Sequence, residues 1–293
     1  MTTTRTRGVL LGVLMTAGAV GIVAGQGGQQ KPVTTEKVRE NLFMIREGGG
    51  NTAVFITTKG VVLVDTKDPG MGQAIMDQVR SVTDKPVTTI INTHTHADHN
   101  GSNEHFPTAV EIVTQENTKT NMEKMPAFQG EKAAFLPDRT FKDRLTLNQG
   151  ADRVDLYYFG PGHTNGDAII VFPALRVAHT GDLFARAGTP LIDVKSGGTG
   201  IRYPDTVKKA AAGIKDVETV IPGHSDVTTW AAFAEFGEFN QAFLDAVREA
   251  QKAGKTAEEA ATGLTLPDKF KAYNVSRLKE NVAAIYEELK TIK

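Results

Sequence analysis

Apolar residues along the chain fall into short runs and helical repeats, separated by Gly, Pro and Asn. Short apolar runs bounded by turn residues are typical of strands, whereas apolar residues three and four positions apart are typical of helices. Strands are therefore predicted at 42–46, 53–57, 61–65, 87–92, 110–113, 145–147, 154–159, 168–172, 176–179 and 219–221. Helices are predicted at 71–82, 102–106, 115–124 and 204–212. This alternation favours an α/β fold in which two sheets face each other with helices outside.

The pattern changes at Thr229, after which the chain is mainly helical. Pro267 interrupts this region, and residues 275–289 have apolar residues at helical spacing. We expect the tail 229–293 to pack on the two sheets as part of one domain spanning 38–293, because no shift in composition separates it.

The first 25 residues have the composition of a signal peptide. Arg5 and Arg7 precede an apolar stretch from Gly8 to Ala24, which ends in small residues up to Gly25. We expect cleavage after Gly25 and export to the periplasm or the medium, with residues 26–37 as a flexible lead-in. The length of the apolar stretch leaves an uncleaved membrane anchor as the alternative.

Composition narrows the chemistry and the partners. The chain has no cysteine, which excludes disulfides, thiolate zinc sites and a lipid anchor on cysteine. Its formal net charge of −1 gives no support for binding to nucleic acid or to anionic membranes. We expect a small-molecule substrate, no nucleic acid, and no stable membrane insertion once the leader is cleaved. The oligomeric state is left open.

A cluster of metal-binding residue types follows the strand predicted at 87–92. His94-Thr95-His96-Ala97-Asp98-His99 contains three of the seven histidines of the chain. Imidazole and carboxylate are zinc ligands, and side chains that splay from a turn can serve two ions. The cluster predicts a metal centre with two ions, whereas a surface loop with incidental histidines would not concentrate them so.

Three later loops each add one ligand candidate after a strand-like run. Gly162-His163-Thr164, Gly181-Asp182 and Pro222-Gly223-His224 combine turn residues with a metal-binding side chain. The complete ordered pattern, over residues 38–228, resembles the metallo-β-lactamase-fold superfamily.

The resemblance implies a four-layer αβ/βα sandwich with metals at one sheet edge. It also implies which residues hold which ion. The first metal would be held by His94, His96 and His163, the second by Asp98, His99 and His224, and Asp182 would bridge both.

The chemistry implied by the resemblance is hydrolysis by a metal-bound hydroxide. Asp98 would have a second, catalytic role in orienting that nucleophile and returning its proton to the leaving group. Two zinc ions per chain are expected, and iron or manganese is compatible with the same ligands.

The residues of the chain narrow the class of substrate only in part. The missing cysteine excludes the cysteine-containing lactamase subclass, and Asp182 argues against the all-histidine subclass. The resemblance therefore points to the glyoxalase II-like and general hydrolase branch, although the tail from Thr229 shows no match to a glutathione-recognition domain. We expect cleavage of an ester, lactone, thioester or amide bond.

Three alternatives remain at this point. The first is β-lactamase activity of the all-histidine kind, and the second is an iron-dependent persulfide dioxygenase. The third is a non-catalytic zinc-binding module, which the complete ligand set disfavours.

Other residues are assigned more weakly. His105 and His179 are predicted to be structural, and Gly181 and Gly223 to form the turns that aim their neighbours. Residues 164–167 either hydrogen-bond the ligand histidines or cap a turn. The aromatic triplet 157–159 is predicted to be strand, with the substrate cleft as the alternative.

The loops 126–139 and 187–201 are expected to shape the cleft. Residues 196–200 form either a mobile lid or a simple connection. The candidate cleft residues in and beside these loops are Phe128, Phe135, Arg186, Asp193 and Tyr203.

Overall fold

Two β-sheets form the centre of the molecule, in a computed structural model that describes residues 32–291. The first sheet contains β1 (Thr34–Arg39), β2 (Leu42–Arg46), β3 (Thr52–Ile56), β4 (Val61–Val64), β5 (Val87–Ile91), β6 (Glu111–Gln115) and β7 (Arg139–Phe141), in that spatial order. The second contains β8 (Arg144–Leu147), β9 (Val154–Tyr157), β10 (Ile169–Phe172), β11 (Val177–Gly181), β12 (Thr219–Pro222) and β13 (Thr228–Thr229), again in consecutive order.

Both sheets combine antiparallel and parallel pairs. Strands β1 to β4 form an antiparallel meander, and β4 to β7 run parallel to one another. In the second sheet β11 and β12 are the parallel pair. Parallel strands bring their carboxyl ends to the same sheet edge, and that edge carries the candidate ligands.

Within residues 32–291, seven α-helices connect or cover the sheets. They are α1 (Gly72–Arg80), α2 (Ala97–Asn100), α3 (Glu116–Met122), α4 (Tyr203–Gly213), α5 (Trp230–Lys252), α6 (Ala257–Gly263) and α7 (Leu278–Thr291). Among the described residues no helix is long and apolar enough to cross a membrane.

Alternation of side chains along the strands builds the layers. In β2, Leu42 and Met44 point into the core between the two sheets, whereas Phe43 and Ile45 point to the opposite face. That outer face packs with Ile75 of α1. In the second sheet, β10 behaves in the same way, with its outer face against α4 and α5. The predicted four-layer sandwich is confirmed.

The C-terminal helices pack on this sandwich. Phe233, Phe236 and Phe239 of α5 are fully buried against the second sheet and α4. Farther along α5, Phe243 and Val247 pack with α6 and α7 in a separate apolar cluster. The described residues form one compact unit.

The N-terminal expectations are corrected in one place. The predicted lead-in includes 34–37, but these residues belong to β1, whose Thr34 pairs with Arg46 of β2. This edge strand is mostly polar and half-exposed, so it lacks the apolar alternation by which strands are recognised. The predicted signal peptide and residues 26–31 lie outside the described residues.

The cleft loops are also more ordered than expected. β7 and short 3₁₀ turns at Pro126–Phe128 and Gly130–Phe135 occupy most of the loop predicted at 126–139. The segment 196–200 is hydrogen-bonded at Ser196, Gly198 and Thr199, which makes it a fixed connection rather than a lid.

Candidate metal centre

All seven predicted ligands meet at one edge of the sandwich. Each follows the carboxyl end of a strand: the histidine cluster follows β5, and the other three loops follow β9, β11 and β12. The side chains form two groups whose candidate ligand atoms lie within 4.8 Å of one another. The first group is His94, His96, His163 and Asp182, and the second is Asp98, His99 and His224.

Two of these ligands stand on a helical turn, not on the loop that was expected. Asp98 and His99 belong to α2, which is closed by hydrogen bonds from the amide of Gly101 to the carbonyl of Ala97 and from that of His99 to that of His96. Because α2 is a single turn, its side chains still diverge. His96 therefore reaches one group while Asp98 and His99 reach the other.

In the first group, inward-facing nitrogens converge on one point. His96 Nδ1 lies 3.0 Å from His163 Nε2, and Asp182 Oδ2 lies 3.7 Å from that same Nε2. The ring centroid of His94 is 4.7 Å from that of His163 and 4.9 Å from that of His96.

The opposite nitrogens of these three rings are held by the protein. Thr93 Oγ1 lies 3.0 Å from His94 Nδ1, and Asp193 Oδ2 lies 2.8 Å from His96 Nε2. His163 Nδ1 donates to the carbonyl of Leu191 at 2.8 Å. Such contacts fix the ring orientation and the tautomer of a metal-binding histidine.

The second group is equally compact. His99 Nε2 lies 3.2 Å from His224 Nε2 and 3.6 Å from Asp98 Oδ2, and His224 Nε2 lies 3.1 Å from that carboxylate. On the far side of its ring, His99 Nδ1 contacts Asp65 Oδ2 at 2.7 Å.

Asp65 is a site residue that sequence reasoning missed. It is fully buried, and its carboxylate also accepts from the amide and hydroxyl of Thr93, so it joins β4 to the start of the histidine cluster. The available signal was its position directly after β4, at the same edge as the ligands.

Asp182 lies between the two groups. Its Oδ1 is 3.3 Å from the Nε2 atoms of both His99 and His224, yet neither contact gives Oδ1 a well-aligned hydrogen bond. His94 Nε2 is likewise buried without a partner. A buried polar atom without a partner is costly, so two such atoms aimed at the same space fit metal ligation. The donor set, all nitrogen and carboxylate oxygen, suits divalent zinc or iron.

The pKa values separate the two groups. Burial, aided by neighbouring imidazoles, depresses the pKa of His94 well below its ordinary value, and burial lowers that of His163 to about 4. Burial acts the same way on His99 and His224, but the adjacent carboxylates outweigh it. The pKa of His99 is therefore raised well above its ordinary value, and that of His224 is raised to about 9.

Three glycines are needed around the ligands, two for space and one for a backbone turn. A Cβ on Gly50 would lie 2.3 Å from the His99 ring, and one on Gly223 would lie 1.9 Å from Asp182 Oδ1. Gly181 adopts φ +49, which L-residues rarely adopt, so it forms the turn expected of it. Gly223 has no such backbone requirement and is needed for space.

A cavity of about 280 Å³ opens over the two groups. Its floor includes His96, Asp98, Asp182 and His224. Its walls come from the chain after Asp182, from α5 and from the segment before α7: Ala185, Arg186, Gly188, Thr189, Pro190, Leu191, Phe236, Asn274, Ser276 and Arg277.

The weaker sequence assignments are settled individually. His179 is fully buried, with Nε2 donating to the carbonyl of Asn51 and Nδ1 accepting from the amide of Gly181, and it is structural as predicted. His105 packs its Cβ against Gly72, outside the cavity. Asp167 accepts from the amide and hydroxyl of Thr164, so it caps the turn that carries His163.

The candidate cleft residues divide in the same way. Arg186 lines the cavity, and Asp193 holds His96 from outside it. Phe128 is buried elsewhere, and Phe135 lies away from the cavity. Tyr203 is buried outside the cavity too, but its hydroxyl donates to the carbonyl of Asp182 at 3.1 Å. The aromatic triplet 157–159 does not line it, which agrees with the strand assignment for Tyr157.

Known proteins are similar to this chain in sequence. The chain is 32% identical to 2,4-dinitroanisole O-demethylase subunit alpha of Nocardioides sp. (strain JS1661) over 154 residues, 51% of this chain but only 46% of that subunit. It is 24% identical to metallo-beta-lactamase type 2 of Elizabethkingia meningoseptica over 241 residues, which cover 78% of this chain and 91% of that enzyme.

Solved structures agree on the fold. The stereoselective inverting sec-alkylsulfatase Pisa1 from Pseudomonas sp. superimposes with a TM-score of 0.75 at 15% identity, over 89% of this chain and 51% of that one. The model of the metallo-beta-lactamase superfamily matches residues 45–224, which include every candidate ligand. The chain therefore belongs to the metallo-beta-lactamase superfamily of metal-dependent hydrolases.

Proposed function

We propose that this protein is an exported hydrolase with two zinc ions, which cleaves an ester, lactone, thioester or amide bond. The observation that carries the proposal is the pair of ligand groups joined by Asp182, with His94 Nε2 and Asp182 Oδ1 buried without hydrogen-bond partners. The four ligands of the first group and the three of the second account for both ions when Asp182 is shared.

Bound divalent ions would supply a Lewis acid and activate water as a nucleophile near neutral pH. The protein provides orientation around them. Asp193 and the carbonyl of Leu191 hold His96 and His163, and Asp65 holds His99, so each ring presents a fixed nitrogen to the centre.

Asp98 has a second role that its position supports. Its side chain is about one-third exposed to the cavity, and Oδ2 lies 3.1 Å from His224 Nε2. Burial alone would raise the pKa of Asp98, but His224 and His99 outweigh burial and lower it. The carboxylate is therefore ionised at neutral pH, and it can accept a proton from water in the cavity and pass it to the leaving group.

Export rests on the N-terminal pattern of Arg5, Arg7 and the apolar stretch to Ala24. The test is expression in a bacterial host, followed by fractionation and N-terminal sequencing of the product. A product that starts at Gln26 in the periplasm supports export, whereas an uncleaved cytoplasmic product contradicts it.

Metal content is the first test of the site. Plasma mass spectrometry of protein purified without added metal should find about two zinc ions per chain. The variants Asp182→Ala and His99→Ala should both lose zinc, whereas His105→Ala, which changes a histidine outside the site, should keep it. A single tightly held iron that survives His99→Ala would contradict the proposal and favour the dioxygenase alternative.

A substrate panel then tests the bond type. It includes a lactone, a thioester, an aryl ester, an amide and a β-lactam, with 2,4-dinitroanisole added because a relative is named for acting on it. Hydrolysis of an ester or thioester that is lost in Asp182→Ala supports the proposal. Zinc binding without turnover of any member would favour the non-catalytic module.

A further inference from the structure

Two arginines stand on the wall of the cavity without partners. Arg186 and Arg277 are exposed, and neither guanidinium has an ion-pair or hydrogen-bond partner among residues 32–291. Several other arginines in the described part of the chain are paired, such as Arg153 with Asp155 and Arg176 with Glu218. Two unpaired cations facing one cavity are available to a ligand.

The charges around the cavity favour an anion. The acidic groups among its described lining residues are Asp98 and Asp182, both of which are candidate metal ligands. Divalent ions bound there would more than neutralise them, which leaves Arg186 and Arg277 as excess positive charge. A cavity lined by one sign of charge attracts ligands of the opposite sign.

The same wall carries an exposed apolar side chain. The large hydrophobic residues that are exposed in the described part of the chain are Leu191 (40%), Val275 (43%) and Val194 (57%). Of these, Leu191 lines the cavity, whereas Val194 and Val275 do not. An apolar side chain on a cavity wall is available to the apolar part of a ligand.

The wall is held in place before any ligand arrives. The amide of Thr189 donates to the carbonyl of Asn274 at 2.7 Å, and the amide of Arg277 donates to Thr189 Oγ1 at 3.0 Å. Gly188 has φ +153, and a Cβ there would lie 2.3 Å from the carbonyl oxygen of Asn274, so only glycine allows this approach. A preorganised wall spends less of the binding energy on ordering.

We infer that the cavity selects small amphiphilic anions, whose negative group contacts Arg186 and Arg277 and whose apolar portion lies on Leu191. The inference rests on the proposed hydrolytic function and names the substrate class of that site. Arg277 comes from the segment before α7, beyond the residues 45–224 that the superfamily model matches.

Binding of a matched pair of probes tests the charge selection. Hexanoate and hexanamide have the same shape and differ in charge, and neither is a substrate whose turnover is needed. We expect zinc-loaded protein to bind hexanoate about tenfold more tightly than hexanamide in calorimetric or ligand-observed NMR titrations.

Variants of the two arginines test whether these residues cause the preference for hexanoate over hexanamide. Arg186→Met and Arg277→Met should each weaken hexanoate binding roughly three- to fivefold, which is the size of effect typical of exposed ion pairs. Neither variant should change the affinity for hexanamide. Arg277→Lys keeps the charge and should retain most of the affinity. Arg248→Met, on α5 and outside the cavity, is the matched control. Zinc content and circular dichroism show whether each variant is intact.

Unchanged selectivity in the double variant Arg186→Met/Arg277→Met would show that the metal centre alone recognises the anion, and would overturn the inference. Equal affinity for hexanoate and hexanamide in the unaltered protein would do so too. Because neither probe is cleaved, these results stand apart from the substrate panel, whose complete failure would contradict the proposed function instead.

Chain length tests the apolar part. A fully buried methylene is worth up to about fourfold in affinity, so an increase of about twofold per methylene from acetate to hexanoate is expected on this half-open wall. Leu191→Ser should flatten that increase, whereas Val194→Ser and Val275→Ser, which change residues that do not line the cavity, should not. Equal slopes in all three variants would contradict the apolar contact.

Discussion

The two ligand groups use the same residue types, but the pKa values of two histidines in the first group and of two in the second are shifted in opposite directions. In the first group, the pKa of His94 lies well below its ordinary value and that of His163 is about 4, so both rings are neutral and ready to bind a metal. In the second group, the raised pKa values of His99 and His224 keep both rings protonated near neutral pH until a metal displaces the protons.

Placement of carboxylates accounts for this difference. His99 lies between Asp65 at 2.7 Å and Asp182 at 3.3 Å, and His224 lies between Asp98 and Asp182. His94 has no carboxylate at comparable distance and is surrounded by other imidazoles. Two sites built from one short segment can therefore differ in metal affinity and in pH response.

Removing the shared ligand should have the largest effect. In the proposed arrangement Asp182→Ala removes one ligand from each ion, and loss of activity of at least about a hundredfold is expected, together with loss of the second-group zinc. Turnover and zinc content of the same preparation measure this. Retention of both zinc ions would show that Asp182 does not join the groups.

Changing the pH should separate the groups. A metal must displace the protons of both His99 and His224, so second-group affinity should fall by up to about tenfold per pH unit for each proton, or roughly a hundredfold per proton from pH 8 to pH 6. First-group affinity should depend less on pH there, because burial lowers the pKa values of His94 and His163. Zinc titration against a competing chelator at several pH values measures both, and parallel slopes would remove the distinction.

In the metal-free protein, stability should change with pH in the direction opposite to zinc affinity. The raised pKa of His224 means that its interactions stabilise the metal-free fold below the ordinary histidine pKa of about 6.5, and this contribution is lost as pH rises through about 9. The melting temperature of chelator-treated protein should therefore fall between about pH 7 and pH 9, and that of zinc-loaded protein should not show this fall. A flat profile for the metal-free protein would contradict the paired state of His224.

The supporting carboxylates should act on one group each. Asp193→Asn removes the partner of His96 and should lower first-group zinc affinity about 10- to 100-fold, whereas Asp65→Asn removes the partner of His99 and should do the same to the second group. Asp65 is fully buried and Asp193 is not, so only Asp65→Asn should also lower the melting temperature markedly. An equal effect of either variant on both ions would contradict the separation.

The smallest effect should come from the C-terminal tail. Asn281 Nδ2 donates to the carbonyl of Pro190, next to the residue whose carbonyl holds His163. Asn281→Ala should weaken first-group zinc affinity a few-fold, by about 1 kcal/mol for one hydrogen bond. Asn240→Ala is the control, because that buried amide donates only within α5, to Phe236. Identical zinc affinities in the two variants would show that the tether does not reach the metal centre.

The strands and the ligands could be predicted from the sequence because both depend on local residue patterns. The alternation of apolar residues in segments such as 42–46 predicts buried strands, and the spacing of the histidines predicts the metal centre. β1 was missed because an exposed edge strand needs no apolar face. Asp65, Asp193 and the wall at 274–277 were missed or left open because their roles arise from contacts between residues far apart in the chain.

The close backbone contact between Gly188 and Asn274 joins the segment before α7 to the chain after Asp182. This contact has a consequence for how such enzymes diversify. The residues that would perform the chemistry lie within 45–224, whereas Arg277 lies outside that range, in the segment before α7. Mutation of the later stretch can change which compounds are accepted while leaving the reaction intact. Swapping residues 274–277 between homologues is accordingly a direct way to engineer new specificity on an unaltered reaction centre.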